Sequence, residues 1–507
     1  MLDFERSHHM LKNNRIIRFS IPLIFILLYS WSCTDLVESP YDLVTPDNFY
    51  NTEGELTAAV VPVYNGLNQA QWGDYMFLQE VSSDAIVVPT RGGDWDDGGA
   101  WRALQLHSWD ATLGSVGGGW SGAFGAIAKA NSTLDALAMA EQTDLVKTYA
   151  AETKVLRCLY YWWLIDLYGA VPLVTTSETD PDNPPSATSR TEVFDWIVAE
   201  INASLPDLEE SHGSGGHGRI TKGAANTLLA TLYLNAEVYT GTAEWANCKS
   251  ACDAVMTSGV YDLMPTVMDV FAFANEGPAN TEYILTLAHL PLDGVTSFRH
   301  MATLHYNNIP ASPWNGFSVL TDFYNSHEST DARLEQILVG QAYVLFGSAA
   351  GDSAFDRQGN PLSFTVDFPL IDANESAGPR MLKWPIDPNM TGWFSGADYA
   401  IFRYSHVLLM KAEADYNLSG GGLAELNQVR TRAGLDALAS IDSDAILAER
   451  GHELLWEGFR RQDQIRHGTF LEAWTHKDAS DGEHRVLYPI PQSQLDANPN
   501  LVQNSGY

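Results

Sequence analysis

The chain has 507 residues, of which 45% are hydrophobic and 11% aromatic, so it is long enough to bury a large core. Its 29 basic and 63 acidic residues give a net charge of −34, which repels phosphate backbones and excludes a nucleic-acid-binding protein. Four cysteines in a chain of this length exclude a disulfide framework.

The first 32 residues predict a signal peptide. A basic stretch precedes an apolar run, Phe19 to Trp31, that is shorter than the roughly 20 residues a spanning helix needs. Cys33 follows directly, where a bacterial lipoprotein is cleaved and acylated, although Ser30 stands at the position usually held by leucine. We predict lipidation at Cys33; the alternative is an ordinary signal peptide with an incidental cysteine.

The same region also predicts an alternative start of the chain and a linker after the signal peptide. Residues 1–9 carry acidic side chains ahead of the basic stretch, so Met10 is an alternative start. Residues 33–46 are short, polar and contain two prolines, which predicts a leash between the lipid and the folded domain.

Residues 47–507 are predicted to form one mainly α-helical domain. Apolar residues recur at helical spacing in segments that end at glycine or proline, and Thr52 with Glu55 forms a capping box. Helix, short break and helix, repeated, predict a tetratricopeptide-like scaffold of helical hairpins, mainly over 120–258 and 402–473. The predicted helices are Thr52–Leu67, Trp120–Ala140, Thr143–Tyr168, Thr191–Ser204, Thr221–Tyr239, Ala243–Ser258, Phe402–Leu418, Leu423–Ala433, Ser443–Arg460 and Asp463–Ala473.

Two regions interrupt this rhythm, at about 80–122 and 259–400. They are rich in glycine, proline, asparagine, aspartate and aromatics, which predicts loops with a few short strands such as Tyr283–Leu287 and Phe364–Phe368. Irregular segments beside a rigid scaffold often carry binding residues, so we expect the ligand-binding half here.

Several motifs are incomplete. Gly213, Gly215 and Gly218 match G-x-G-x-x-G but follow a predicted helix, so an interhelical loop is favoured over a dinucleotide site. His452 begins an H-E-x-x-H pattern that fails because Trp456 replaces the second histidine. We therefore predict no cofactor and no metal site; the many aspartates permit calcium, but no EF-hand loop is present.

Charged and sulfur-containing residues at helical spacing are interpreted as structural. Glu457, Arg460, Asp463 and Arg466 alternate in sign every three residues, which favours an ion-pair network over a catalytic acid pair. The cysteine pair at 248 and 252 shares one helix face, which favours two buried thiols over a bridge.

The segment from 83 to 101 carries the residue types that bind sugars. Sugars present apolar faces edged by hydroxyls, so a receptor needs flat aromatic surfaces beside charged donors and acceptors. Trp95 and Trp101 supply the planes, Arg91 a donor fork, and Asp84 and Asp94 the acceptors. A loop folded beneath its own tryptophans is the alternative, and composition leaves both open.

A second aromatic cluster lies in the other irregular region. Tyr306, Trp314 and Phe317 stand near Asn307 and Asn315. We expect this cluster to form the facing wall of the same site.

The C-terminal third resembles a known family. Phe402–Ala414 is similar to its "FRYADVLLMKAEA" helix, and Leu426–Gly434 to "LNQVRARAG". Glu449–Gly468 resembles its "ER…EL.FEG.R..DL.RWG" segment, and the terminal segments Leu487–Pro491 and Asn498–Tyr507 resemble "LYPIP…NPNLTQNPGY". These motifs identify the chain as a member of the SusD/RagB family of nutrient-binding lipoproteins.

The resemblance implies a function and a location. Family members are lipid-anchored on the outer face of the outer membrane and act with a SusC-like TonB-dependent barrel. Their fold is mostly helical, and the usual ligand is a glycan. The resemblance implies that the family's ligand loop corresponds to Asp84, Arg91 and one or both of Trp95 and Trp101. It implies that the second aromatic cluster corresponds to Trp314 and Phe317.

We therefore predict a cell-surface protein that binds an oligosaccharide and is not an enzyme. A peptide receptor of the same family is one alternative. The other is a glycoside hydrolase, which needs two carboxylates facing each other across a cleft. Its candidate carboxylates are Glu80, Asp84, Asp94, Asp96 and Asp97.

Overall fold

The computed structural model describes residues 52–289 and 297–507. The signal peptide, the lipidation at Cys33 and the leash, all predicted over residues 1–46, lie outside the described residues. Within the described ranges, no helix is both long and apolar enough to pass through a bilayer.

Helices dominate both ends of the described chain, which confirms the predicted mainly α fold with tetratricopeptide-like hairpins. The first half contains α1 Glu53–Tyr64, α2 Asn68–Trp72, α3 Asp74–Glu80, α4 Ala100–Gln105, α5 Gly114–Met139, α6 Asp144–Tyr168, α7 Arg190–Ser204, α8 Lys222–Leu234, α9 Ala236–Thr240 and α10 Trp245–Thr257. The second half contains α11 Val267–Phe271, α12 Arg299–Thr303, α13 Thr321–Asn325, α14 Tyr404–Ser419, α15 Leu423–Arg432, α16 Ser443–Leu454, α17 Arg460–Arg466 and α18 Gln492–Ala497.

The long helices stack in sequence order. Helix α5 packs on α6, α6 on α7, α8 on α10, α10 on α14 and α14 on α15. Predicted capping residues begin several of these helices: Thr52 and Glu55 form the expected capping box, and Thr143 caps α6. The last three turns of α6 are buried on every side, so this helix is the centre of the core rather than an amphipathic surface helix.

Short antiparallel strand pairs join the irregular regions. The strands are β1 Ile86–Val87, β2 Tyr283–Leu287, β3 Ser318–Val319, β4 Ile337–Leu338, β5 Gly340–Gln341, β6 Ser363–Phe364, β7 Arg380–Met381 and β8 Tyr399–Arg403. They pair as β1 with β3, β2 with β8, β4 with β7 and β5 with β6. The β1–β3 pair, with Ile86 opposite Val319, holds the two predicted ligand regions side by side.

Some predicted helix bounds are wrong for identifiable reasons. The helix predicted over 221–239 breaks at Asn235, whose side chain donates to Thr231 O at 2.9 Å and accepts from Arg466 at 2.8 Å. Phe402 lies in β8 opposite Leu285, so the following helix starts two residues later than predicted.

The helix predicted over 443–460 ends at Leu454 because buried cations bind the carbonyls that follow. Lys383 donates to Leu455 O at 3.0 Å, and Arg299 donates to Trp456 O at 2.6 Å. Trp456 then takes a left-handed φ of 62°. Consequently the last predicted helix, 463–473, is replaced by α17, which starts three residues earlier.

The four charged residues form structural ion pairs, as predicted, but Glu457 and Arg460 pair with segments distant in sequence. Asp463 and Arg466 meet along α17 at 2.8 Å, whereas Glu457 binds Arg403 at 2.7 Å. Cys248 and Cys252 are free, buried thiols, as predicted.

Candidate ligand-binding groove

The loop after β1 is held in a strained conformation. Trp95 has a φ of 63°, a left-handed value that is unusual for a bulky residue. Reciprocal backbone hydrogen bonds between Arg91 and Asp94, at 3.0 and 3.1 Å, close the turn before it. The indole Nε1 of Trp95 donates to Trp314 O at 2.7 Å. These bonds fix the Trp95 ring against the second aromatic cluster.

Trp95 also needs a glycine beside it. An ideal Cβ added at Gly316 would lie 2.4 Å from the Trp95 ring. A side chain at position 316 would therefore displace the indole, so the close packing of the two loops depends on this glycine.

Arg91 lies beneath the groove with its guanidinium turned toward protein carbonyls. Its Nε donates to Asn315 O at 2.6 Å, and its terminal nitrogens donate to Asn374 O at 2.7 Å and Ser318 Oγ at 3.1 Å. Burial lowers the pKa of Arg91 to about 10, while Tyr306 and Glu375 oppose the shift. Arg91 thus ties three loop segments together.

Asp84 and Phe317 also contact protein side chains and support the loops around the indoles. Both carboxylate oxygens of Asp84 accept from Arg460, at 2.6 and 2.8 Å. Phe317 is 1% exposed, and its ring lies 5.7 Å from Trp95 and 5.4 Å from Trp101 between centroids. Phe317 is the apolar floor under the two indoles.

Above this floor lies an open depression of about 510 Å³, here called the aromatic groove, lined by Asp94, Trp95, Asp97, Tyr306, Trp314 and Arg357. Its volume falls within the range typical of small-ligand sites. Trp95 and Trp314 are partly buried, so each indole keeps a surface that a ligand can reach. The groove therefore combines flat apolar surfaces with charged groups.

Trp101 stands at the edge of the groove. It lies on α4, is partly buried, and its Nε1 donates to Asp97 Oδ2 at 2.6 Å. Its ring centroid is 5.9 Å from that of Trp95, with the planes tilted by 57°. Trp101 thus supports both Trp95 and the groove-lining Asp97.

The polar side of the groove is a connected set of hydrogen bonds. Tyr306 donates its hydroxyl to Asp94 Oδ2 at 2.7 Å, and burial and then Asp94 raise the pKa of Tyr306 to about 12. The Arg357 guanidinium lies 4.2 Å from the Tyr306 ring centroid and contacts Glu375. Glu375 also pairs with His305 at 3.1 Å. Asp94 and Arg357 therefore offer an acceptor and a donor fork from fixed positions.

A second depression of about 320 Å³ shares Tyr306 with the aromatic groove. It is lined by Tyr306, Asn307, Ile309, Pro310, Ser312, Val344, Phe346, Ser348 and Ala349. Asn307 Nδ2 donates to Phe355 O at 2.7 Å, which joins this region to the loop that carries Arg357. The two depressions together form a longer surface than a single sugar needs.

Two other cavities, of about 250 and 330 Å³, lie on the helical half around Gly218. Their charged groups are already paired: Arg219 binds Glu152, and His217 binds Asp398 at 2.7 Å. They lack the adjacent indoles of the aromatic groove, which therefore remains the stronger candidate.

Comparison with known proteins places the chain in a family. The SusD family matches residues 227–507, and a family described as "Starch-binding associating with outer membrane" matches residues 44–234. The chain belongs to the SusD family. The match spans more than half of the chain, which agrees with the resemblance found in the C-terminal motifs.

Individual relatives agree with this assignment. The starch-binding protein SusD of Bacteroides thetaiotaomicron is 26% identical over 414 residues, which cover 70% of this chain and 72% of that protein. SusD-like protein P25 of Formosa agariphila is 25% identical, covering 96% of this chain and 99% of that one.

Solved structures share the SusD fold. A laminarin-binding SusD-like protein superposes with a TM-score of 0.73 at 24% identity, covering 90% of this chain and all of that one. Surface glycan-binding protein A from Bacteroides thetaiotaomicron, in complex with laminarihexaose, gives a TM-score of 0.71 at 20% identity, with 89% and 99% coverage.

Two residues of the groove in this SusD-family chain are absent from the predicted ligand residues: Arg357, and Asp97, which was named only as a candidate hydrolase carboxylate. Five of the eight predicted ligand residues lie in or beside the groove: Asp94, Trp95, Trp101, Tyr306 and Trp314. Arg357 lies in a loop without distinctive spacing, and only tertiary packing brings it against Tyr306. The exposed ring of Trp393, centred 6.4 Å from Trp314, was also not predicted.

Proposed function

We propose that this SusD-family protein binds an oligosaccharide in the aromatic groove and delivers it to a SusC-like TonB-dependent transporter. The observation that carries the proposal is the juxtaposition of the Trp95 and Trp314 indoles with Asp94 and Arg357 along one open depression. Indoles stack on the apolar faces of sugar rings, while the carboxylate and guanidinium hydrogen-bond the hydroxyls around them.

Within this proposal Trp95, Trp314 and Tyr306 are the contact planes, with Asp94 and Arg357 as hydroxyl partners. Arg91 and Phe317 hold the two loops from below, since the Arg91 donors face protein carbonyls and the Phe317 ring is buried. Asp84 has the same supporting role through Arg460.

The relatives support a glycan ligand by analogy. One similar protein is described as starch-binding and another as laminarin-binding. Starch and laminarin are both uncharged glucans, so oligosaccharides of these two polymers are the first ligands to test.

The binding experiment is isothermal titration of the protein against a panel of starch, laminarin and other oligosaccharides, with peptides included. We expect binding to at least one glycan and about a five- to thirtyfold loss in Trp314→Ala, the effect of removing one buried aromatic contact. Trp245→Ala, a partly buried tryptophan at the start of α10, is the matched control and should bind normally. Binding to peptides alone would replace the glycan proposal with the peptide receptor.

The proposal includes no catalysis. The purified protein incubated with its preferred glycan should release no new reducing ends. Release that disappears in Asp94→Asn or Asp97→Asn would instead support the glycoside hydrolase, because both carboxylates line the groove.

The cell-surface location is proposed from Cys33 and the family. Wild-type protein should incorporate labelled fatty acid and be cleaved by protease added to intact cells, whereas Cys33→Ser should do neither. Co-purification of a TonB-dependent barrel with the tagged wild-type protein tests the partner. If no such barrel co-purifies, delivery to a transporter is contradicted and only glycan binding remains of the proposal.

A further inference from the structure

Two histidines distant in sequence stack against each other away from the aromatic groove. His327 follows α13 and His452 lies on α16, and their ring centroids are 3.9 Å apart with planes inclined by 27°. Asp331 caps the short helix that follows. One possible ligand atom from each of these three residues lies within 4.8 Å of the others. Here they are called the His–His–Asp cluster.

Hydrogen bonds fix the tautomer of His327. Its Nδ1 lies 3.1 Å from Phe323 O and 3.3 Å from Tyr324 O, so Nδ1 carries the hydrogen and donates. Nε2 is then left with its lone pair. That atom is buried and has no hydrogen-bond partner among residues 52–289 and 297–507. The lone pair of this nitrogen is therefore available to bind a metal ion.

His452 is fixed in the same way by Ser326. The Ser326 hydroxyl has one hydrogen and donates it to Phe323 O at 2.7 Å. His452 Nε2, 2.8 Å from the same hydroxyl oxygen, must therefore be the donor, which leaves the lone pair on Nδ1. A histidine that binds a metal characteristically donates its other ring nitrogen to a carbonyl or a similar acceptor.

The neighbouring cations are matched by acids, so they do not exclude a metal. Arg333 pairs with Asp331 at 2.8 Å and with Glu449 at 2.7 Å. Arg430 contacts Glu328, and Arg460 pairs with Asp84 at 2.6 Å. Both Asp331 oxygens accept from Arg333, so a bound ion would replace one of these bonds, while Arg333 keeps its bonds to Glu449 and Glu453.

We propose that His327, His452 and Asp331 bind a divalent transition-metal ion such as Zn²⁺. Two imidazole nitrogens and one carboxylate oxygen suit zinc, whereas calcium and magnesium prefer oxygen ligands alone. Three protein ligands leave a fourth position for water. The ligands come from the segment after α13 and from α16, so the ion joins the irregular half to the C-terminal helices. This site is independent of glycan binding.

The test is isothermal titration of metal-free protein, without a histidine tag, with ZnCl₂. We expect one high-affinity site per chain and at least about tenfold weaker binding in His327→Ala and in His452→Ala. His484→Ala, a partly buried histidine outside the cluster, is the matched control. The absence of a one-to-one site, or equal affinity in both cluster variants, would overturn the proposal.

A spectroscopic measurement covers the case in which His327→Ala fails to fold. Co²⁺ added to the wild-type protein should give the visible absorption of a four-coordinate site, and His452→Ala should lose it. Circular dichroism establishes that His452→Ala is folded. A six-coordinate spectrum, or a four-coordinate one that survives in His452→Ala, would place the metal elsewhere and refute the cluster as its site.

Discussion

Replacing Gly316 by alanine should weaken glycan binding without removing any groove side chain. The new Cβ would lie 2.4 Å from the Trp95 ring, whereas ordinary contacts start near 3.4 Å, so the indole must move by about 1 Å. The 2.7 Å hydrogen bond from Trp95 Nε1 to Trp314 O would then lengthen beyond a normal hydrogen bond. Displacing one stacking plane, rather than removing it, should cost about 0.5–1.5 kcal/mol, or roughly a two- to thirteenfold loss of affinity.

Isothermal titration with the glycan that binds wild-type protein best measures this loss. Gly93→Ala is the matched control, because an added Cβ at position 93 meets no atom within 4 Å in the same loop. Thermal unfolding should show a modest destabilisation of Gly316→Ala, of about 1–3 kcal/mol for overpacking. A folded Gly316→Ala that binds as tightly as wild type would refute the role of the Trp95 plane.

Three further predictions follow from the groove and the core. Arg357→Ala should reduce glycan affinity about tenfold, since it removes a charge-assisted donor. Isothermal titration of Arg357→Lys, which keeps the charge but lacks the forked guanidinium, shows whether the geometry of the donors or the charge is responsible. Ser348→Trp should fill the second depression and weaken binding of a hexasaccharide but not of a disaccharide; equal effects on both would exclude that depression from the site. Burial raises the pKa of Glu80 from 4.5 to about 7, so its protonated form stabilises the fold at low pH and that stability is lost as pH rises through 7. The unfolding free energy of Glu80→Gln relative to wild type should therefore increase by up to about 3 kcal/mol between pH 4.5 and pH 8.5 in urea titrations, and a constant difference would contradict the shift.

The sequence predicts the helical scaffold well because its signals are local. Thr52 and Glu55 cap the first helix as their spacing requires, and α6 ends at Gly169. The errors lie where distant side chains compete for the backbone. Helix α16 ends early because Lys383 and Arg299 bind the carbonyls after it, and local spacing contains no information about those partners.

The sequence predicts the kinds of residue that line the groove, but only some of the individual residues. Aromatic rings and charged groups near 95 and 314 indicated a sugar site, and the β1–β3 pair brings them together. Sequence alone could not tell that the Arg91 guanidinium faces carbonyls while Arg357 faces the groove. Both are single arginines in irregular loops, so the difference arises only from tertiary packing.

A crystal structure of the protein with its tightest-binding oligosaccharide tests the central claim most directly. We predict a sugar ring stacked on Trp314 or Trp95 and ligand hydroxyls within hydrogen-bond distance of Asp94 or Arg357. An oligosaccharide bound to another surface, with the groove empty, would contradict it.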